Sequence, residues 1–461
     1  MTARITLAFT AAVYTLLSAC ALNTPLPDLH ADMPARWHNA ATESSRLGPA
    51  PDLDSWWHAF NDAQLDTLIE RALQQNLTLQ QATLRLRGAR ALQHRSGTQF
   101  MPQLNFHTFS QPDPAATTSY YEIGFDAQWE LGFFGRGRGN ARVAAADLQS
   151  AAASVTAARV SLVAEVARNY IDLRAAQARL TQFDRIVQLR EQSLDLAKTR
   201  LRLRLAAQDD VDKIAGELAQ ARADAAEPAA AIAQAQQALD VLLAQPQPDS
   251  TLSAAGPQPV LADVHFAQTP ADLLRTRPEI RQAELDVLRA AGELGIARAD
   301  LWPKLGLGGT LISSTRLVGD VDRPNKAIPS AGPIIDIPLF DWGARRDMAD
   351  ARETGLQAAV LGYRQAVLEG VAEAESALAQ WQRDRTRAVA AQTQQQLAEN
   401  AQARAQTLQR IGLADKADDA QAGIARAQAE LQASVAQRDA ALAFIAVYKS
   451  FGGALPPLAM P

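Results

Sequence analysis

Two hydrophobic periods coexist along this chain. Between residues 121 and 130, Tyr121, Ile123, Phe125, Ala127 and Trp129 alternate with Glu122, Gly124, Asp126, Gln128 and Glu130. A period of two predicts a strand with one apolar and one polar face. Leu305, Leu307, Gly309 and Leu311 repeat the pattern more weakly. Elsewhere the period lengthens. Val166, Leu173, Leu180, Val187, Leu194 and Leu201 stand at strict intervals of seven, and Val360, Tyr363, Val367, Val371, Ala374, Leu378 and Trp381 step by three or four. Such spacing over many turns predicts long helices with coiled-coil packing.

Each pattern occurs twice because the chain is internally duplicated. Residues 76–82 (NLTLQQA) align with 277–283 (RPEIRQA) at an offset of 201, which also maps Pro102-Gln103-Leu104 onto Pro303-Lys304-Leu305. Leu205-Ala206 matches Leu413-Ala414 at an offset of 208, and Phe134-Gly135-Arg136 lies roughly opposite Phe340-Asp341-Trp342-Gly343. The expected order in each copy is the same. A helix (62–100 and 270–301) is stopped by Pro102 or Pro303, because the residue before a proline leaves the α region. Two strands follow, at 104–110 and 120–131, then 305–314 and 333–340. A very long helix (141–205 and 344–411) and a second helical run (210–247 and 415–450) complete the unit. About 65 residues at roughly 1.5 Å each make each long helix about 100 Å. A free-standing coiled-coil rod would show the seven-residue period too, but needs neither strands nor a duplication.

Composition then narrows the class. About a fifth of the 461 residues are alanine, the best helix former and small enough for close helix approach. Forty-five basic against 50 acidic residues leave a net charge of −5, so no basic surplus points to nucleic acid. A mean hydropathy of −0.15, with the apolar run confined to the N-terminus, speaks against a polytopic helical membrane protein. Enzyme chemistry finds no support. His30, His38, His58, His94, His107 and His265 are scattered without metal-ligand spacing, and the glycines of residues 132–139 (GFFGRGRG) fit a sharp turn, not a phosphate loop. No catalytic residue, resident metal or cofactor is expected.

The one cysteine carries an address. Arg4 and the apolar run Ile5–Leu17 read as a signal peptide too short to span a bilayer. The run ends in Leu17-Ser18-Ala19-Cys20, which looks like a bacterial lipobox. Cys20 is then the lipidation site, carrying diacylglycerol and an N-acyl chain; the alternative is an ordinary cleavage site beside a cysteine. Ala21 is not the aspartate of the inner-membrane retention signal known for such lipoproteins, which favours the outer membrane. The chain thus divides into a signal peptide (1–19), a lipidated tether (20–52), a first repeat (53–260) and a second repeat (261–461). With that address, alternating ten-residue strands fit a transmembrane β-barrel better than a half-buried soluble sheet. Four strands cannot close a barrel and open edges are not tolerated in lipid, so several protomers must share one.

The motifs that fix the resemblance run through nearly the whole mature chain. They are Trp129-Glu130-Leu131-Gly132-Phe133-Phe134-Gly135-Arg136, residues 272–280 (DLLRTRPEI), residues 296–303 (IARADLWP), Pro338-Leu339-Phe340-Asp341-Trp342-Gly343 and Tyr448-Lys449-Ser450-Phe451-Gly452-Gly453. The sequence resembles the TolC-type outer membrane efflux proteins, the outer membrane factors, in the lipoprotein branch with OprM and NodT. The resemblance implies a mainly α protein with membrane β-strands, a homotrimer sharing a 12-stranded β-barrel that continues into a periplasmic α-helical barrel. Pro228 within the 210–247 run matches the family's shorter upward helix. The implied function is the outer-membrane exit duct of a tripartite efflux pump in a Gram-negative bacterium, lipid-anchored and reaching into the periplasm. Its implied partners are a periplasmic adaptor (membrane fusion) protein and an inner-membrane pump of the RND type, with no nucleic acid. A non-pore coiled-coil structural lipoprotein and a type I secretion duct are the alternatives.

In that family the helix-hairpin tips close the periplasmic end. The gate candidates are therefore Asp209, Asp210 and Asp212 at the first helix break and Asp415, Asp418 and Asp419 at the second, with Arg204, Arg410 and Lys416 as latches. Carboxylates repeated round one axis would repel, raise some of their pKa values and favour cations. Acidic residues at a helix start also simply cap exposed N–H groups. Two departures from the family pattern stand out: Arg204 replaces a tip glycine, and Gly132 replaces an aspartate at the strand-to-helix joint.

Overall fold

The computed structural model describes residues 25–29, 55–111, 120–261, 277–316 and 327–453. Cys20, most of the tether and His30, His38 and His265 lie outside the described residues. After a 3₁₀ turn at Trp56–Phe60, the elements run α1 (Ala63–Gln75), α2 (Leu77–Thr98), β1 (Gln103–Gln111), β2 (Tyr120–Glu130), α3 (Arg136–Arg202), α4 (Gln208–Asp224), α5 (Ala226–Leu242), α6 (Pro278–Ala299), β3 (Lys304–Arg316), β4 (Ala327–Asp336), α7 (Ala344–Arg410) and α8 (Lys416–Ser450).

The backbone itself records the duplication. Left-handed residues recur 208 positions apart: Phe134 and Trp342, Gly135 and Gly343, Arg204 and Gly412, Ala244 and Gly452. The last two pairs end helices with the same double bond. Leu205 N–H donates to Arg200 C=O (2.8 Å) as Leu413 does to Leu408 (2.9 Å), and Gln245 donates to Asp240 as Gly453 does to Tyr448, each at 2.9 Å. These are Schellman caps, in which a left-handed residue turns the chain back onto the last carbonyls.

The chain forms two compact units, each drawing on both repeats. One comprises the described parts of residues 84–153 and 281–366, and contains the sheet. β1 to β4 form an antiparallel meander in sequence order, leaving β1 and β4 as edges. The register sorts side chains into rows. Phe106, Phe125, Leu311 and Pro329 are opposed across all four strands, and the next row is Asn105, Asp126, Thr310 and Ser330. The Phe106 and Phe125 rings lie 5.2 Å apart on the apolar face. On the polar face Asp126 receives His107 Nδ1 at 2.6 Å and Asn105 Nδ2 at 3.3 Å, and Thr310 meets Ser330 at 2.6 Å. Leu104, Phe106, Phe125, Leu307 and Leu311 are all exposed, so the sheet presents an apolar face with no cover in the protomer.

The fourth strand differs from the sequence expectation of 333–340. It begins at Ala327 and ends at Asp336, which pairs with Lys304, the first residue of β3. Beyond Asp336 no partner residue remains, so the apolar run Ile337–Phe340 leaves the ladder. Pro329 and Pro333, which have no N–H to give the ladder, are tolerated because β4 is an edge.

In the same unit, residues 136–153 of α3 pack on α6. A Cβ at Gly139 would lie 2.9 Å from the Gly292 carbonyl oxygen, and one at Gly292 would lie 3.0 Å from that of Gly139. The helices therefore touch backbone to backbone. Arg289 pairs with Asp147 at 2.5 Å and Ser150 Oγ bonds Gln282 at 2.8 Å. At the strand-to-helix joint the Phe134 ring stacks on Trp302 at 5.6 Å, while Arg136 binds Glu130 (3.2 Å) and Asp300. Gly132 is left-handed beneath the Phe100 ring, which a Cβ would approach to 2.9 Å. That contact explains why aspartate is absent here.

The other unit comprises the described parts of residues 32–83, 154–280 and 367–461. Its core is aromatic: Trp56 stacks on Tyr448 at 5.3 Å and Phe60 meets Phe444 edge-on at 5.6 Å. Buried Arg174 threads polar groups through it, donating to Gln177 (2.7 Å), the Ala254 carbonyl (2.8 Å) and Gln64, with Gly256 pressed against its guanidinium. Burial pushes the Tyr170 hydroxyl pKa up to about 12, so it stays protonated and donates to Asp62, the α1 cap, at 2.9 Å. Arg277, preceding Pro278, is buried and reaches the Gly370 carbonyl (3.1 Å) and Glu373 (2.5 Å).

Two helices expected to be continuous are broken. The 62–100 run is interrupted at extended Asn76, whose side chain accepts from Leu79 N–H (3.0 Å) and donates to the Leu242 carbonyl (2.9 Å), serving one helix start and another helix end. The 210–247 run breaks at Ala225, which puts Pro228 in the first turn of α5, where its missing N–H costs nothing. Of the seven-residue set, Val166 and Leu173 are fully buried, and Leu180, Val187, Leu194 and Leu201 half-buried. One 18-residue window of α3 has a mean hydropathy of 1.2, enough by composition alone to cross a membrane, contrary to the sequence reading; it is 39% buried within the protein.

Candidate functional site: the helix-hairpin tips

Both tips lie in the second unit. At the first, α3 ends in the left-handed Arg204, held by Arg204 N–H to Leu201 C=O at 2.9 Å. α4 then starts from Ala207, which has no side-chain acceptor; Asp210 instead accepts from the Ala207 N–H at 3.0 Å, and Gln208 donates to Asp212 at 2.8 Å. Asp209 stands exposed in the first turn of α4.

The second tip is more fully closed. Gly412 supplies the left-handed turn, and Asp415 caps α8 by accepting from Ala417 N–H (2.7 Å) and Asp418 N–H (2.9 Å). Asp418 returns the bond, accepting from Asp415 N–H at 3.0 Å. This reciprocal capping box satisfies donors that a bare helix start would leave open. Asp419 turns inward: one carboxylate oxygen is sealed from solvent without a hydrogen-bond partner, at the position that aligns with buried Val211.

One contact joins the tips. Arg200, four residues before Arg204, forms an ion pair with Asp415. The Asp418 amide N–H, the Arg200 guanidinium and the Ala417 amide hold the Asp415 carboxyl below the usual carboxylate range, opposite in direction to the shift that clustered carboxylates would cause. Among the described residues, Arg204, Arg410 and Lys416 are exposed and pair with no carboxylate. The sequence pointed to the basic end of α3 but not to Arg200: the helix ends at Arg202, and Arg204 lies beyond it in the left-handed turn, off the helical face that Arg200 shares with its i+4 position. Further from the tips, Arg190 pairs with Glu217, and Arg222 with Glu191 at 2.6 Å, bracing α3 against α4. Gln402 of α7 is buried and accepts from Arg185 (3.4 Å) and Arg426 (3.3 Å), tying α7 to α3 and α8.

Among the described residues no group of three or more His, Cys, Asp or Glu side chains could hold a metal ion. The arrangement is mechanical. A sheet with an exposed apolar face and open edges, and paired helical hairpins with acidic tips, are the parts of a channel protomer. The sequence matches the family described as outer membrane efflux protein over residues 68–245 and 269–453. It is 28% identical to nodulation protein T of Rhizobium leguminosarum bv. viciae over 376 residues, covering 80% of this chain and 77% of that protein. It is 30% identical to outer membrane protein OprJ of Pseudomonas aeruginosa over 380 residues, 78% of each chain. Among solved structures, the outer-membrane channel OprN superposes with a TM-score of 0.78 at 27% identity, over 94% of this chain and 99% of that one. This chain belongs to the outer membrane efflux protein family: it is an outer-membrane exit channel of an efflux pump, not an enzyme.

Proposed function

We propose that the channel is a homotrimer whose three four-stranded sheets close one 12-stranded barrel, that lipid on Cys20 anchors it, and that its hairpin tips form the periplasmic gate. Its hairpins engage a periplasmic adaptor protein and, through it, an RND-type inner-membrane pump, which supplies the energy; the channel itself is passive. The observation that carries the gate reading is the Arg200–Asp415 ion pair between the tips. A contact between exposed side chains is weak enough to be exchanged for adaptor contacts. The unpaired edges of β1 and β4 support a shared barrel, since lipid cannot satisfy their backbone groups.

The test is conductance of the purified channel in planar bilayers. The intact protein gives small cation-selective openings, and Arg200→Ala raises mean conductance several-fold. Silent bilayers from both proteins would overturn the pore. Equal conductance in both would overturn the Arg200 gate and leave the pore standing. Mass spectrometry of the N-terminal peptide checks the acyl chains on Cys20.

A further inference from the structure

Charge is sparse on the polar face of the sheet. Among the described residues, Glu130, Lys304 and Asp336 stand at one end of the ladder, Arg316 is the last residue of β3 at the other, and Asp126 and Glu122 lie between. His107 on β1 is directly opposite Gly124, so the two β2 carboxylates flank it diagonally. The glycine leaves the imidazole room to lean along β2. His107 Nδ1 comes within 2.6 Å of one Asp126 oxygen, and Asn105 Nδ2 reaches the other at 3.3 Å. Further along the two rows, Thr310 and Ser330 extend that of Asp126, and Ile312 and Ile328 that of His107, all without charge.

An ionised carboxylate can only accept, so the proton of a neutral His107 sits on Nδ1 and Nε2 is the basic position. A second proton arriving at Nε2 leaves the Asp126 bond in place and changes the charge alone. The pair carries one negative charge with imidazole and none with imidazolium. The His107 and Asp126 side chains are 40% and 35% exposed, so water can deliver that proton. Histidine ordinarily titrates at about pH 6.5, whereas carboxylates, lysine and arginine ordinarily do so well outside the range from about 5 to 8.

We propose that Asp126, held by Asn105 and His107, is a selectivity-determining residue of the barrel lumen, and that His107 sets how much of its charge the lumen presents. The inference rests on the shared-barrel reading above, in which the apolar face meets lipid, the polar face lines the water-filled lumen, and each copy brings one pair to the same height. A ring of carboxylates favours cations. With His107 neutral, the ring attracts cationic solutes and repels anionic ones. With His107 protonated, each Asp126 is neutralised in place and anions pass more readily, with no movement of the backbone. The effect is separate from the tips, where Arg200 and Asp415 act by contact.

The test is the reversal potential under a potassium chloride gradient across planar bilayers, read in the full-length Arg200→Ala channel so that joined tips do not set the ratio. The cation-to-anion permeability ratio should fall severalfold between about pH 8 and about pH 5, with its midpoint near the ordinary histidine value of about 6.5. Adding His107→Gln should hold the high ratio across that range. Adding Asp126→Asn should give, at about pH 8, the ratio that the unmodified pair reaches at about pH 5. Glu122 is present in every channel compared and so cancels. His107→Gln keeps the carboxylate and carries the test where Asp126→Asn does not assemble. A conducting channel whose ratio ignores pH, or falls equally with His107→Gln, overturns the inference and leaves the barrel standing; so does an Asp126→Asn channel with an unchanged ratio. Silent bilayers from all three proteins would overturn the barrel and the inference together.

Discussion

Arg200, near the end of α3, is ion-paired with Asp415, the residue that caps α8. Two jobs therefore meet in one carboxylate, and substitutions separate them. Asp415→Asn keeps a good N-cap but removes the charge; Asp415→Ala removes both. Conductance in planar bilayers should rise several-fold for either variant. Thermal unfolding should show a loss of about 1 kcal/mol for alanine and little for asparagine.

The same carboxyl sets an acid limit. Its pKa is lowered in the folded chain, so its contribution is fully present above the unfolded value of about 3.9 and is lost as pH falls through the lower folded value. Conductance is accordingly flat from about pH 7 to 5, and rises only below about pH 4 as Asp415 is neutralised. Asp415→Asn abolishes that rise. A rise centred near pH 6 in the parent protein would contradict the assignment to this carboxylate.

Arg204 occupies a left-handed position that its repeat mate fills with Gly412. A side chain there costs roughly 1 kcal/mol. Arg204→Gly should raise the unfolding midpoint by a few degrees in detergent, and Arg204→Ala should leave conductance unchanged, because Arg200 and not Arg204 contacts the opposite tip.

Gly139 and Gly292 hold α3 and α6 in backbone contact. Gly139→Ala places a methyl 2.9 Å from the Gly292 carbonyl oxygen, inside van der Waals contact with backbone that cannot swing away, with an expected loss of about 1–3 kcal/mol. Gly88→Ala, inside α2 and with nothing within 4 Å of the added Cβ, serves as the comparison: it gains the roughly 0.5–1 kcal/mol of helix stability that alanine has over glycine. Differential scanning calorimetry of both variants reads the difference.

Much of this fold was legible from periodicity. The strand β2, both long helices and the duplication follow from periods of two and seven and from a fixed offset, because each is written in many residues at once. What escaped depends on single partners. The end of β4 is set by where β3 begins, which no local pattern reveals. The break at Asn76 depends on a bond to Leu242, 166 residues away. The acidic and basic residues of both tips could be marked, but the pairing of Asp415 with Arg200 required knowing which face of α3 turns towards α8.

The unpaired rims of β1 and β4 also constrain how the protein comes to exist. A lone sheet cannot enter the bilayer stably, so insertion is of higher than first order in chain concentration. Before copies meet, the exposed apolar face is a liability for aggregation and proteolysis. Substitutions that slow encounter will therefore show as reduced abundance at low expression, and normal channels will return when more protein is made.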